Sequence, residues 1–356
     1  MKEGIDNLLT HCMNVQAGQD VVIIYDPMGY FSRTLVDAVA SRVTSMHAQP
    51  HILETSRIDS GDNMPPFLLK AMETAHHTLF FHSLGSMLRF VPVGGNGTLT
   101  ISFIVDDESM HSTFSTMHHG AMQNMTRLLH ESLTEAKRWR ITCPLGTDLS
   151  SVAEFEAGKA PTSTGDGFTL QTFPIGSHRP FLCRSMQGTL AVTRLISSGV
   201  HAHNPVGLTL NSPVLAEVKD GIMVDFDGDA ETVRQVRDHY DMVGDTYGYD
   251  GDRHLISSWH AGTHPQGYCT YDDVSDYERW LLIAHNNPRM AHFHSCGDFN
   301  PGEVTLPIID PTIEFDGDPL WNNGKLEFLE REDVRSAIGQ FVDADAFIER
   351  RTELGI

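Results

Sequence analysis

The sequence predicts two domains of different class. The first is an α/β domain over residues 1–160, a mostly parallel sheet with helical cover. The second is a β-rich α+β domain over residues 161–356 that is expected to carry a metal site. Three observations predict this division. Short β-branched runs alternate with helical spacings up to about residue 150, the pattern of strands joined by helical crossovers. The stretch Glu154 to Gly167 (EFEAGKAPTSTGDG) is rich in Gly, Ser, Thr and Pro and reads as a linker or surface loop. Beyond it the chain turns to short strands separated by turn signals. A length of 356 residues fits two domains at about 150 residues each.

The elements follow in order. Asp20 to Asp26 (DVVIIYD) is a buried-strand run, and Phe31 to Ser45 has helical spacing. His47 to Glu54 reads as a second strand and Phe67 to Ala75 as a second helix. Thr78 to His82 and Thr98 to Val105 are further buried strands. Thr116 to Ala136 is a long amphipathic helix, followed by a strand over Trp139 to Cys143. Gly94, Gly95 and Gly97 make neither a dinucleotide-binding G-x-G-x-x-G turn nor a P-loop. In the second half, Ser212 to Asp227 holds two alternating runs around Asp220-Gly221, a favoured two-residue hairpin turn. Ala230 to Val243 and Glu330 to Arg350 have helical patterns.

Charge narrows the partners. Twenty-five Lys and Arg against 47 Asp and Glu leave a net −22, which repels phosphate backbones and anionic lipid. The densest basic cluster, Lys137-Arg138-Trp139-Arg140, is short and runs into an apolar segment. Neither nucleic acid nor membrane is an expected partner. No apolar run reaches the length of a membrane span, and the first residues lack the apolar core of a secretory signal, so a cytoplasmic protein is expected. Five scattered cysteines form no Cys-x-x-Cys pair, which argues against a disulfide framework or a Cys-rich zinc site.

Histidine stands out, with 20 in the chain and six between His254 and His294. In a strand, residues i and i+2 share a face and lie about 6.6 Å apart. His292-Phe293-His294 therefore presents two imidazoles on one side and a phenyl ring on the other. Two such imidazoles suit cis positions on one metal ion, and His260 from a neighbouring strand supplies a third. Three neutral nitrogens leave coordination positions open for water, substrate or dioxygen. His201-Ala202-His203 is a second H-x-H, placed before Asn204-Pro205 in a predicted loop, and His203 is a candidate substrate contact. The pairs His76-His77 and His118-His119 diverge in direction and read as structural. Asp298 is a candidate partner for a ligating imidazole. The chain carries no G-x-S-x-G elbow and no H-E-x-x-H helix, so a nucleophile mechanism has no support.

Several segments then resemble a known family. Ile141-Thr142-Cys143-Pro144-Leu145-Gly146-Thr147-Asp148-Leu149 is similar to the G-T-D-L segment of the thermophilic metallo-aminopeptidase (aminopeptidase T) superfamily. Gly188-Thr189-Leu190, the Ser212–Asp227 hairpin, Arg253-His254-Leu255 and Gly262-Thr263-His264-Pro265 follow in that superfamily's order. It also contains 2,5-dihydroxypyridine 5,6-dioxygenase, a non-haem iron enzyme that opens a pyridine ring. The resemblance implies a metal-dependent enzyme that assembles as a homodimer or higher homo-oligomer. Two departures matter. The family closes its site with H-x-D where this chain has His292-Phe293-His294. The position matching Ser258 is Glu in the peptidases and His in the dioxygenase. Three neutral imidazoles do not balance the charge of a two-metal peptidase site.

The expected function is therefore that of a mononuclear non-haem Fe(II) ring-cleaving dioxygenase, acting on a hydroxylated aromatic or N-heteroaromatic, dihydroxypyridine-like substrate. Zn, Mn or Co are alternative metals, because three imidazoles bind all of them. In that scheme His264 or His285 serves as acid/base, and Arg184 or Arg289 holds a substrate carboxylate or phenolate. The competing reading is a metal-dependent hydrolase, an aminopeptidase or amidase using Zn or Co. It would be favoured by an acid such as Glu217 or Asp298 completing a carboxylate-rich site. A degenerate relative that binds metal without catalysis is the third.

Overall fold

The computed structural model describes residues 1–56, 58, 64–88, 96–155, 163–165, 168–197, 207–270, 277–297 and 302–356. The chain divides into two compact units. One comprises Met1–Asn124, Gly158–Gly176 and Ile338–Asp343; the other comprises Met125–Ala157, Ser177–Ala337 and Ala344–Ile356. Among the described residues no helix is long and apolar enough to cross a membrane.

The first unit is built on a six-stranded sheet. In chain order its elements are α1 (Lys2–Asp6), β1 (Asp20–Tyr25), α2 (Arg33–Ser45), β2 (Gln49–Glu54), α3 (Pro66–Thr74), β3 (His77–Phe81), α4 (Leu84–Met87) and β4 (Gly97–Ser102). Short helices α5 (Asp107–His111) and α6 (Thr113–Thr116) follow, and the next helix, α7 (His119–Glu135), belongs to this unit only up to Asn124. Strands β1 to β4 pair in parallel, in the order β2-β1-β3-β4. Parallel strands are covered on both faces, which explains why β3 (HTLFF) is buried along its whole length. Ser32 starts α2 by accepting the Leu35 N–H, and Leu35, Val36, Val39 and Val43 form the helix's buried stripe.

Strands β5 (Arg138–Thr142) and β6 (Asp148–Val152) belong to the second unit, and the chain then returns to the first sheet through β7 (Ser163–Gly165) and β8 (Phe168–Phe173). β8 pairs in parallel with β4, and β7 closes that edge antiparallel. The strand predicted over 139–143 thus forms, but in the other sheet, paired with β6 and, from far along the chain, with residues 312–315. Its burial alternates, exposed then buried, as suits an antiparallel sheet with one solvated face.

The second unit's sheet has twelve strands among the described residues. After β5 and β6 come β9 (Phe181–Leu182), β10 (Gln187–Ser197), β11 (Gly207–Lys219), β12 (Ile222–Asp227), α8 (Ala230–Tyr247), β13 (Ile256–Ala261), α9 (Tyr277–Ala284), β14 (Met290–Ser295), β15 (Val304–Ile309), β16 (Thr312–Phe315), β17 (Asp318–Asn322) and β18 (Lys325–Leu326). The strand order is β18-β17-β16-β5-β6-β10-β15-β14-β13-β9, with β11 and β12 branching from β10. The predicted hairpin is β11–β12. Asp220 (φ 49°) and Gly221 (φ 77°) supply the two positive φ values its turn requires. A side chain on Gly221 would sit 2.4 Å from the Cys183 carbonyl oxygen. The expected C-terminal helix over 330–350 is two short helices, α10 (Glu332–Ile338) and α11 (Ala344–Ile348), separated by residues 339–343.

Candidate metal centre

Strands β13 (ISSWHA) and β14 (MAHFHS) lie at the middle of the site, and their alternation assigns each side chain to a face. Trp259 and Phe293 point back into the core. There the Trp259 ring packs 5.2 Å from Trp139 and 5.5 Å from Phe181, with Phe315 6.4 Å away. These rings are almost completely buried and give the two strands a rigid backing.

The opposite face carries the histidines. His260 is registered against His292, and Ser258 against His294. The three imidazole rings lie 4.2, 4.9 and 5.1 Å apart by centroid. One nitrogen from each falls within 4.8 Å of the other two, and among the described residues this is the one His/Cys/Asp/Glu cluster so arranged. Neighbouring nitrogens on a single ion, with bonds of about 2.1 Å, sit about 3.0–3.4 Å apart, so the cluster needs little movement to converge.

Each ring has its own support. His260 Nδ1 faces the His178 carbonyl oxygen at 3.3 Å, so it carries the proton and leaves Nε2 with a free lone pair. His178 Nε2 accepts the Ala261 N–H at 2.9 Å, so its own proton sits on Nδ1, which donates to the Arg179 carbonyl. Trp321 Nε1 donates to the Gly262 carbonyl and holds the same strand end. His294 Nδ1 lies 3.0 Å from the Ser258 hydroxyl. The Ser258 hydroxyl therefore acts on a neighbouring imidazole.

Burial, reinforced by the neighbouring imidazoles, holds the pKa values of His260 and His292 well below 6.5. Burial likewise brings His178 down to about 3. His260 and His292 are thus neutral, the state a metal requires. His260 Nε2 and His292 Nε2 face each other at 2.7 Å, and only one can carry a proton. His292 Nδ1 is buried without a hydrogen-bond partner. Two neutral buried imidazoles with the half-buried His294 beside them fit one divalent cation, whereas two cations would lack compensating charge.

His285, at the end of α9, is the fourth imidazole of the group, 5.9 Å from His292 and 6.4 Å from His260 by centroid. Its Nδ1 donates to the Leu281 carbonyl at 2.7 Å, which leaves Nε2 as the acceptor. His264 is completely buried just beyond β13, with Nδ1 accepting the Gln266 N–H at 3.2 Å. Arg289 is clamped on Asp310 by two hydrogen bonds of 2.6 and 2.7 Å and donates a third to the Thr352 carbonyl, a tie between chain segments. Arg184 is exposed on the turn after β9. Glu217 pairs with Lys219 at 2.7 Å at an exposed position of the hairpin. His201, His203 and Asp298 lie outside the described residues. His77 is hydrogen-bonded to Thr98 and Gln19, and burial lowers its pKa to about 4, as befits a structural histidine.

Sequence reasoning missed His178, which supports His260, and the buried Glu303 near the strand partner of His294. His178 holds His260 through its backbone carbonyl, which leaves no side-chain signature, and holds the Ala261 N–H through Nε2. Glu303 is buried and accepts from Thr305 Oγ1 at 3.3 Å, and Thr305 is registered against His294. The alternating polar residues of Glu303-Val304-Thr305 were its available signal.

Two solved structures share this fold. 2,5-Dihydroxypyridine dioxygenase from Pseudomonas putida KT2440 superposes with a TM-score of 0.63 at 15% identity, covering 91% of this chain and 96% of that one. The aminopeptidase T-like AmpT from Thermus thermophilus superposes with a TM-score of 0.52 at 13% identity, covering 90% of this chain and 98% of that one. No protein-family model and no curated protein sequence matches the chain. At these identities the likeness establishes the fold, the one the sequence motifs pointed to.

Proposed function

We propose that the chain is a metal-dependent enzyme binding one divalent cation through His260, His292 and His294, and that it is an Fe(II) dioxygenase opening a hydroxylated aromatic or N-heteroaromatic ring. The observation that carries this reading is the convergence of three imidazoles, the buried and neutral His260 and His292, nitrogen to nitrogen at 2.7 Å, and the half-buried His294. The fold shared with a dioxygenase and with AmpT agrees with a metal enzyme of either kind.

When bound, Fe(II) supplies the redox chemistry that brings dioxygen to a hydroxylated ring. The protein's part is separate. The His178 carbonyl and the Ser258 hydroxyl orient His260 and His294. His285 Nε2, an acceptor in this tautomer, takes the proton from a ring hydroxyl as the substrate binds. The aromatic backing around Trp259 keeps water from the far side of the sheet. The substrate is a small molecule, the second reactant dioxygen, and the working form a cytoplasmic homodimer or larger homo-oligomer.

One observation favours hydrolysis with Zn or Co as the second reading. Glu303 places a buried carboxylate beside Thr305, and a hydrolase needs such a base. The test is oxygen uptake by anaerobically prepared, Fe(II)-loaded protein given dihydroxypyridines and catechols, beside a peptide and amide screen. Oxygen consumption coupled to loss of ring absorbance supports the dioxygenase. Amide cleavage without oxygen uptake overturns it in favour of the hydrolase.

A further inference from the structure

The chain leaves β13 and enters β14 through two buried loops, and one side chain joins them. Gly262, two residues beyond His260, donates its N–H at 2.9 Å to the carbonyl of Met290, two residues before His292. The Gly262 backbone lies directly on the Asn287 peptide, where a Cβ would stand 2.1 Å from the Asn287 carbonyl oxygen. Only glycine permits so close an approach. Asn287 is buried, and both its amide hydrogens and its side-chain oxygen are engaged. Nδ2 donates to the Gly267 carbonyl in the loop after β13 and, at 3.1 Å, to the Arg351 carbonyl. Oδ1 accepts the Arg289 N–H at 2.8 Å, at the entry to β14.

The Arg351 carbonyl belongs to a segment, 349–354, laid over the same two loops. The Arg351 N–H donates to the Pro265 carbonyl and the Cys269 N–H to the Glu353 carbonyl, each at 2.9 Å. Trp280 of α9 donates its indole N–H to the Leu354 carbonyl. Asn287 thus bonds to three pieces at once: the exit of β13, the entry of β14 and the segment 349–354. The consequence lies at the imidazoles. His260 and His292 are registered against each other two residues along from the Gly262–Met290 bond, about 6.7 Å away. Their Nε2 atoms stand at 2.7 Å and need about 3.0–3.4 Å on one ion. Ligands must be held within about 0.5 Å of their working positions, so a small parting of the two loops acts directly on metal affinity.

We propose that Asn287 is a positioning residue of the metal centre: one amide ties the exit of β13, the entry of β14 and the segment 349–354 together, and so sets the spacing of His260 and His292. This rests on the metal-centre reading above. The test is Co(II) affinity by chelator competition, with the visible absorption spectrum of the Co(II) form and a melt of metal-free protein beside it. Asn287→Ala is expected to weaken Co(II) binding about tenfold, the low end for partners of ligating groups, and to shift the spectrum. Asn287→Asp keeps the size and the oxygen that faces Arg289 but turns a carboxylate oxygen toward two carbonyls, and is expected to lose more. Val39→Ala, in the buried stripe of α2 in the first unit, is the control: it lowers the melt and is expected to leave affinity and spectrum at wild-type values. Wild-type affinity and spectrum in both Asn287 variants, or equal losses in Val39→Ala, overturn the assignment. If neither Asn287 variant folds, hydrogen exchange of wild type decides. Slower exchange at the Arg289 and Arg351 N–H groups in the Co(II) form supports the coupling, and equal exchange refutes it. Wild type that binds no Co(II) overturns the metal-centre reading and this assignment with it.

Discussion

Ser258→Ala isolates how the candidate centre is held. Ser258 is 1% exposed, registered directly against His294, with its hydroxyl 3.0 Å from Nδ1. Alanine fits the same space, so the substitution removes one oxygen and one hydrogen bond and leaves the strand intact. The net loss to fold stability is about 1 kcal/mol. Its effect on metal binding is larger, because the hydroxyl limits the orientation of the imidazole. Partners of ligating histidines are typically worth about 10–100-fold in affinity. The assay is Zn or Co(II) competition against a chelator, run beside a thermal melt of metal-free protein. An affinity within threefold of wild type, at unchanged stability, would refute the idea that Ser258 orients a ligand. A melt lowered by many degrees with the same affinity would assign the hydroxyl to the fold instead.

The remaining predictions use other features. Burial depresses the pKa values of His178 to about 3 and of His119, His130 and His239 to about 4. The unfolded chain, titrating near 6.5, then binds more protons than the folded one between those values, so the stability these groups contribute is present above pH 6.5 and lost as pH falls toward 4. Melting temperature of the metal-free protein should drop steadily across that window, and a flat profile from pH 7 to 4.5 would contradict it. Arg289→Met should cost about 1–3 kcal/mol in urea unfolding by breaking the clamp on Asp310, with metal content unchanged. Unchanged stability with weakened ligand binding would return Arg289 to the substrate. Gly221→Ala should destabilise by about 1–3 kcal/mol, since alanine there meets the Cys183 carbonyl at a positive φ; a wild-type melting temperature would contradict the turn assignment.

What the sequence made legible followed the range of the interactions involved. Strand β14 was readable because alternation is local: His292 and His294 share a face in any strand, whatever its neighbours. The pairing of His260 with His292 needed one further step, across a short stretch of chain. Sheet membership was harder. The strand at 138–142 was recognisable by pattern, but its partner at 312–315 is distant in sequence and nothing local announces it. The same limit hid Thr305 on β15, which is registered against His294, and Glu303, which accepts from Thr305. His178 was invisible for another reason, since it holds His260 with a carbonyl that every residue possesses. The long C-terminal helix is interrupted over residues 339–343, a break that begins at a glycine and that periodicity does not announce.

The central claim is that His260, His292 and His294 hold one metal ion. The most direct measurement is elemental analysis of anaerobically purified wild type beside His292→Ala, with circular dichroism to verify the fold of both. About one Fe per chain is expected in wild type and none in the folded variant. First-row metal retained by His292→Ala at the wild-type level, or no metal in either protein, would contradict it.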